Sequence, residues 1–330
     1  MTTYLIRRIL LLAPTLLGIT LLTFLLVREA PGSIALTKGA GGGNGSRPMT
    51  AEQREAEIKF FGLDKPPLVG YAIWLKRLVF HLDLGDSGID HRPVMTKISE
   101  RIGLTATLAG SALLLSYLMA IPLGVIAAIK RGEVIDRSIS FLVFVLYSIP
   151  SFAAALLLIM LVAGGDYLNL LPMYGANSIN ASEMGRFEWI WDRIRHMILP
   201  VICLTYASLS YISRYARVSM LDALSQDFIR TARAKGLPER LVILRHALRN
   251  ALIPIITIFA LELPVLIGGT VIIEEIFSLP GMGQLMFEAL EAHDDLMIDG
   301  ITVLVAILTL LGYLLADILY VVVDPRIRYE

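Results

Sequence analysis

Cysteine is nearly absent. Cys203 is the one example in 330 residues. That excludes an intrachain disulfide and any zinc site built from several thiolates. The five histidines, His81, His91, His196, His246 and His293, are scattered without ligand spacing. No Gly-x-x-x-x-Gly-Lys-Ser/Thr loop occurs to cradle phosphate, and no Gly-x-Ser-x-Gly elbow occurs to present a nucleophilic serine. Charge is scarce too, at 18% of residues, where a soluble domain carries about 25%. An ordinary cytosolic enzyme is excluded on that ground. A nucleic-acid surface is excluded because its basic stretch has no interleaved aromatics. Apolar residues make up 56% of the chain, which excludes disorder.

The apolar residues fall into runs, several longer than the roughly 18 residues that mark a membrane span. Six are read here, over 9–27, 104–129, 139–162, 198–215, 251–273 and 301–323. Pro122, Pro150, Pro254 and Pro264 fall inside them. Membrane helices tolerate proline where neighbours satisfy the freed carbonyls, so these spans are expected to be packed and bent. The first run ends at Arg28-Glu29-Ala30-Pro31-Gly32 without a small-residue cleavage pattern. It reads as an uncleaved span rather than a leader.

The division expected is residues 1–29 for the N-terminal segment and first span, and 30–101 for an external loop or cap. A five-helix core follows over 102–323, with a long loop at 218–250, then a tail at 324–330. The external segment opens on a glycine-rich stretch, Gly39–Gly45, and continues with helix-like patterns over Thr50–Phe61 and Tyr71–Phe80.

Charge placement gives the orientation. With the N-terminus inside, the inner loops collect Arg7 and Arg8, then Lys130, Arg131 and Arg137, and then the many arginines of the 218–250 loop. Basic residues beside span ends mark the cytoplasmic side, which predicts that both termini are cytoplasmic. The long inner loop reads as helix, glycine turn, helix. Gly236-Leu237-Pro238-Glu239 is the turn, and Pro238 opens the second helix. Leu241, Val242, Leu244 and Leu248 recur at helical spacing. Two readings of this loop stay open on the residues alone: a protein-docking element, or a basic loop lying on anionic lipid.

The stretch TARAKGL, followed by HALRNALIP, resembles the coupling loop of bacterial ABC importer permeases. It is most similar to the dipeptide, oligopeptide and nickel subfamily, in the subunit type whose name usually ends in "B". Further stretches are similar to the same subfamily in order along the chain. They are YLIRRILLLAPTLLGITLLTFLLVREAPG, FGLDKPPLVGY with Trp74, LDLGDS, Thr105 with IPLGVIAA, SIPSF, GGTVIIEEIFSLPGMG and the terminal VDPRIR. Two departures stand out: Ser33, where an acid commonly follows Pro-Gly, and the glycine-rich insertion.

The resemblance implies an all-α polytopic membrane protein. It would have six transmembrane helices, a type I ABC importer permease-like fold, and a place in the bacterial cytoplasmic (inner) membrane. It implies a second, similar permease, two cytoplasmic ATPases that bind ATP and Mg, and an extracytoplasmic substrate-binding protein. No cofactor is expected on this chain, and no catalytic site. The implied cargo is di- or oligopeptides. Nickel chelates, glutathione and peptide-like antibiotics are the alternatives within the fold. An ion-gradient transporter using Glu262, or a purely structural subunit, are the alternatives outside it.

The ATPase-coupling residues expected are Arg230, Thr231, Ala232, Arg233, Lys235, Gly236, Leu237, His246 and Arg249. Ala232, Gly236 and Leu237 are read as the docking knuckle, and Arg233 and Lys235 as groups that meet acids on the ATPase. Ser148, Pro150, Ser151, Tyr211 and Glu262 are candidates for the pathway or its gate. An intramembrane acid is costly and faces protein or water, so Glu262 either lines the route or pairs with another helix. Pro280, Gly281 and Gly283 are candidates for external docking, or form a turn that only closes the fold.

Overall fold

The computed structural model describes residues 2–29, 59, 65–163, 167–262 and 270–323. Apart from one bridge between Asp86 and Pro93, the regular structure among these residues is helical. In chain order, α1 is Thr2–Glu29, α2 is Pro67–His81, α3 is Val94–Ile129 and α4 is Val134–Ser148. Helix α5, Ser151–Leu158, runs on as a π-helical turn over Ile159–Ala163. Helix α6 is Arg186–Leu224 and α7 is Asp227–Ala234. Helix α8, Glu239–Leu241, passes through a π-helical stretch, Val242–Ala247, into α9, Leu248–Glu262. Helices α10, Val271–Ile276, α11, Met282–Glu291, and α12, Asp295–Val323, complete the order.

Among the described residues, five helices are long and apolar enough to cross a membrane, or six if the bent pair α4–α5 is one span. That pair corrects the continuous third span expected over 139–162. The two helices meet at 90°, and the cause is local. Pro150 has no N–H to donate and clashes with a helical predecessor. Ile149 is accordingly extended, and Pro150 becomes the N-cap of α5. Pro14, Pro122, Pro200 and Pro254 stay inside continuous helices.

Two other expected spans change their limits. Helix α6 has 39 residues, about 58 Å at 1.5 Å per residue, and so far exceeds the 198–215 run. The fifth span begins earlier than expected, because helix is continuous from Glu239 through the π-helical stretch to Glu262. Residues 263–269, the Gly39–Gly45 stretch, the helix expected over Thr50–Phe61 and the tail at 324–330 lie outside the described residues. The helix expected over Tyr71–Phe80 is α2, and it buries Trp74 against Phe24 of α1 and Tyr71.

The most extensive pairing is α3 on α6. Ala112, Ser116, Ala120, Gly124 and Ala128 recur every fourth residue along α3, and all are buried. Small residues let two membrane helices approach closely. A Cβ on Gly124 would lie 2.6 Å from the Ala216 Cβ and 2.7 Å from the Ser213 carbonyl oxygen. Ser116 donates to the Thr205 carbonyl at 3.0 Å. Two apolar clusters lie at the two ends of α3. One joins Phe24, Trp74, Val94 and Ile98 to Met282, Leu285, Met297 and Ile301. The other joins Ala128 and Met220 to Ile229, Ala232, Val242, Ala247 and Ala251.

Candidate functional site

The loop after α6 is a compact helical hairpin. Asp227 opens α7, and the Asp227 carbonyl accepts from Thr231 Oγ1 at 3.0 Å. The helix stops at Lys235 through a paired cap. The Gly236 amide donates to the Arg233 carbonyl at 2.9 Å, and the Leu237 amide to the Ala232 carbonyl at 3.4 Å. This is the Schellman arrangement, which needs a left-handed residue at its centre. Gly236 supplies it, with φ +74°. Leu237 then folds back onto the apolar cluster that holds Ala232, as the motif's hydrophobic contact requires.

The turn is also tied by charge. Arg233 donates to both carboxylate oxygens of Glu239, at 2.6 and 3.1 Å. That bond holds the Arg233 guanidinium above its usual range. Arg233 therefore has an ion-pair partner within its own chain, where the sequence reading matched it to an acid on an ATPase. Arg230 is largely exposed and pairs loosely with Asp227 at 3.5 Å. Lys235 and Gly236 are exposed beside it. His246 lies in the π-helical stretch, where its backbone carbonyl accepts from Asn250 Nδ2 at 2.7 Å. Arg249 is exposed in the first turn of α9.

Beside this hairpin, Arg217 of α6 grips Asp136 of α4 with two bonds, at 2.7 and 2.9 Å. The Gly132 amide donates to the same carboxylate at 2.9 Å. The turn between α3 and α4 is thereby fastened to the end of α6. The partner of Asp136 is 81 residues away, and no local pattern announces it.

At the opposite end of α3, Pro280, Gly281 and Gly283 form a turn around a fully buried acid, Glu274. Thr105 donates to Glu274 Oε1 at 2.9 Å and accepts from the Met282 amide at 2.8 Å. The Gln284 amide donates to Glu274 Oε2 at 3.0 Å. A Cβ on Gly281 would sit 2.5 Å from the Glu274 carboxyl, and one on Gly283 2.8 Å from the Val271 nitrogen. Both glycines are buried, while Pro280 is exposed. Packing thus gives the glycines a reason of their own. Sequence reasoning passed over Glu274, although two adjacent acids before a Pro-Gly-Met-Gly turn were a usable signal.

The outer segment before α3 is fastened nearby. Ser87 donates to Asp294 at 2.6 Å, and Lys97 reaches Ser87 at 3.1 Å and Asp90 at 3.2 Å. Burial pushes the Asp90 carboxyl up. The Lys97 bond and charge, with bonds from the Arg92 amide and Ser87, outweigh burial and hold it below its usual value.

The pathway candidates divide. Ser148 and Pro150 are exposed at the α4–α5 bend, and Ser148 donates to the Phe144 carbonyl at 2.9 Å. Tyr211 packs on Tyr215, with ring centroids 4.6 Å apart. Ser151 and Glu262 come together in a cavity of about 210 Å³, with Ala109, Ala112 and Leu113 of α3, Cys203, Leu204, Ala207 and Ser208 of α6, and Thr270. Glu262 accepts from the Tyr117 hydroxyl at 3.3 Å. Among the described residues no cluster of His, Cys, Asp or Glu has the makings of a metal site.

Comparison with known proteins follows the same lines. Residues 120–329 match the family described as the binding-protein-dependent transport system inner membrane component. The oligopeptide transport system permease protein AppB of Bacillus subtilis (strain 168) is 40% identical over 338 residues, covering 100% of both chains. The dipeptide transport system permease protein DppB of Escherichia coli (strain K12) is 37% identical over 346 residues, again covering 100% of both. Among solved structures, a chain of the MetNI methionine ABC transporter in inward-facing conformations superposes with a TM-score of 0.54 at 17% identity. The match covers 70% of this chain and 97% of that one. That likeness extends to the fold of an ABC importer permease, and the full-length relatives extend to the sequence. The chain belongs to the binding-protein-dependent transport system inner membrane component family.

Proposed function

We propose that this chain is one of two permease subunits of an ATP-driven importer for di- or oligopeptides in the bacterial inner membrane. The peptide reading rests on relatives that span the whole chain and are named for oligopeptide and dipeptide transport. One structural observation carries the coupling. The underside of the hairpin, Ile229, Ala232 and Val242, lies in one buried cluster with Ala128 of α3, Met220 of α6 and Ala251 of α9. A force applied to the exposed edge around Arg230, Lys235 and Gly236 reaches three long helices at once. ATP chemistry belongs to two partner ATPases, and an external binding protein delivers cargo.

Helix directions support six crossings with both termini on the hairpin side. Helices α3 and α6 run the same way, since Leu104 and Leu108 share a cluster with Met197 and Leu199, while Ala128 shares one with Met220. The bent pair α4–α5 then makes one net crossing between them. Phe24, near the end of α1, packs with Leu296 to Ile301 at the start of α12. That arrangement returns both chain ends toward the hairpin.

The test is uptake by the intact complex in sealed vesicles, with the binding protein on its receiving side and a mixed peptide library as cargo. Mass spectrometry of the captured species should show ATP-dependent enrichment of peptides. A complex that hydrolyses ATP and takes up no peptide would overturn the peptide reading in favour of metal chelates or a specialised ligand.

A further inference from the structure

The cavity that brings Ser151 and Glu262 together lies halfway along both long helices. Ala109–Leu113 are the middle of α3, and Cys203–Ser208 are the middle of α6. Its lining is mostly apolar and small, with Ala207 exposed at its mouth. Its polar groups are Ser151, Ser208, Thr270 and Glu262. The Thr270 hydroxyl is buried and has no hydrogen-bond partner among the described residues. Among the described residues, Glu262 brings the one formal charge of the lining. Its bond among the described residues is the long one from Tyr117, and no Lys, Arg or His there pairs with it. An acid at mid-bundle depth is costly and marks a route or a partner. A binding cavity of this kind fixes its ligand by a few convergent polar groups in an apolar wall.

From this we infer that Glu262 is a transient binding site for an organic ammonium, namely the α-amino end of a peptide in transit. The inference rests on the peptide reading above. A carboxylate supplies the counter-charge that an ammonium loses on leaving water. The hydroxyls of Thr270, Ser151 and Ser208 give its remaining N–H groups acceptors. The apolar wall accepts the first side chain without specifying it, as a carrier of many peptides needs. Sites near the membrane middle, reached alternately from either side, are where transport proteins hold cargo.

The test separates this inference from the reading it rests on. In the assembled complex, Cys203→Ala removes the native thiol and Ala207→Cys places a new one at the cavity mouth. A cationic and an anionic methanethiosulfonate then report the charge selectivity of the cavity, with no cargo present. Glu262→Gln should lower the ratio of cationic to anionic modification rates about tenfold, which is ~1.4 kcal/mol, and Glu262→Asp should keep most of it. An unchanged ratio in Glu262→Gln overturns the site; Ser208→Cys repeats the measurement if Ala207→Cys blocks assembly. In vesicles, tri-alanine uptake should fall about tenfold in Glu262→Gln and recover in Glu262→Asp, with ATP hydrolysis stimulated by the binding protein in both. Equal losses in Gln and Asp would make Glu262 structural and overturn the proposal. Failure of the unmodified complex to carry tri-alanine, with charge selectivity intact, would instead remove the peptide reading.

Discussion

Gly236 offers a test in which conformation and size make opposite predictions. Its φ of +74° lies in the left-handed region, and a Cβ built there meets nothing within 4 Å. Any cost of substitution within this chain is therefore backbone cost. For an ordinary L-residue that cost is roughly 1–2 kcal/mol, and asparagine, which bonds locally to its own backbone, escapes much of it. A β-branched residue fares worst. Since about 1.4 kcal/mol is a factor of ten, Gly236→Ala should lower the ratio of correctly turned to misturned hairpin about tenfold. Gly236→Val should cut it further, and Gly236→Asn by a factor of a few. The assay is co-purification of the ATPases together with peptide taken up per ATP hydrolysed, at matched membrane levels of the permease. The damage should rank Asn, Ala, Val from mild to severe. A ranking by volume, with Asn worse than Ala, would show that space and not backbone geometry is limiting. Normal coupling in all three would remove the hairpin from the mechanism.

Three further outcomes are expected. Asp136→Asn strips Arg217 of its carboxylate and should destabilise the permease by about 3 kcal/mol, seen as a lower Tm in detergent; Arg217→Lys, which keeps charge but loses the two-pronged grip, should cost less. Gly124→Ala drives a methyl into Ala216 and should cost about 1–3 kcal/mol by the same thermal assay. Adding Ala216→Gly should recover only part, because the Ser213 carbonyl remains 2.7 Å away. Gly281→Ala collides with the Glu274 carboxyl, and Glu274→Gln leaves one of its two donors facing an amide N–H. Each should cost about 1–3 kcal/mol, read as a lower Tm, and their combination should be non-additive, since the groups touch.

Much of the architecture is legible because it rests on local signals. Apolar runs announce helices, and Gly236-Leu237-Pro238 announces the hairpin; Pro150 signals a bend, and the structure makes it a full break between two helices. The same stretch carries the residues proposed for coupling, and the geometry gives Gly236 and Leu237 the closing of the turn. Long-range pairing is what the linear chain hides. Arg233 looked like a partner for another protein until Glu239 was found within reach. Asp136 and Arg217 meet only because α3 and α6 run side by side. Glu274 disappears among ordinary acids until the turn at Gly281 closes over it. Helix α6 runs past both ends of the 198–215 run, and the helix leading into α9 starts before 251, because hydropathy drops where helices leave lipid while backbone hydrogen bonding continues through polar sequence.

The small-residue row on α3 has a mechanical consequence. Contact from Leu104 and Leu108 through Ser116 and Gly124 to Ala128 runs along much of the length of α3, and it includes a close approach to the Ser213 carbonyl at Gly124 and a hydroxyl bond at Ser116. Two rods joined at so many points behave as one stiff beam, with no pivot between them. On the function proposed above, alternating exposure would then fall to the seams around that beam: the right-angled elbow of α4–α5 and the edge where α9 carries Glu262.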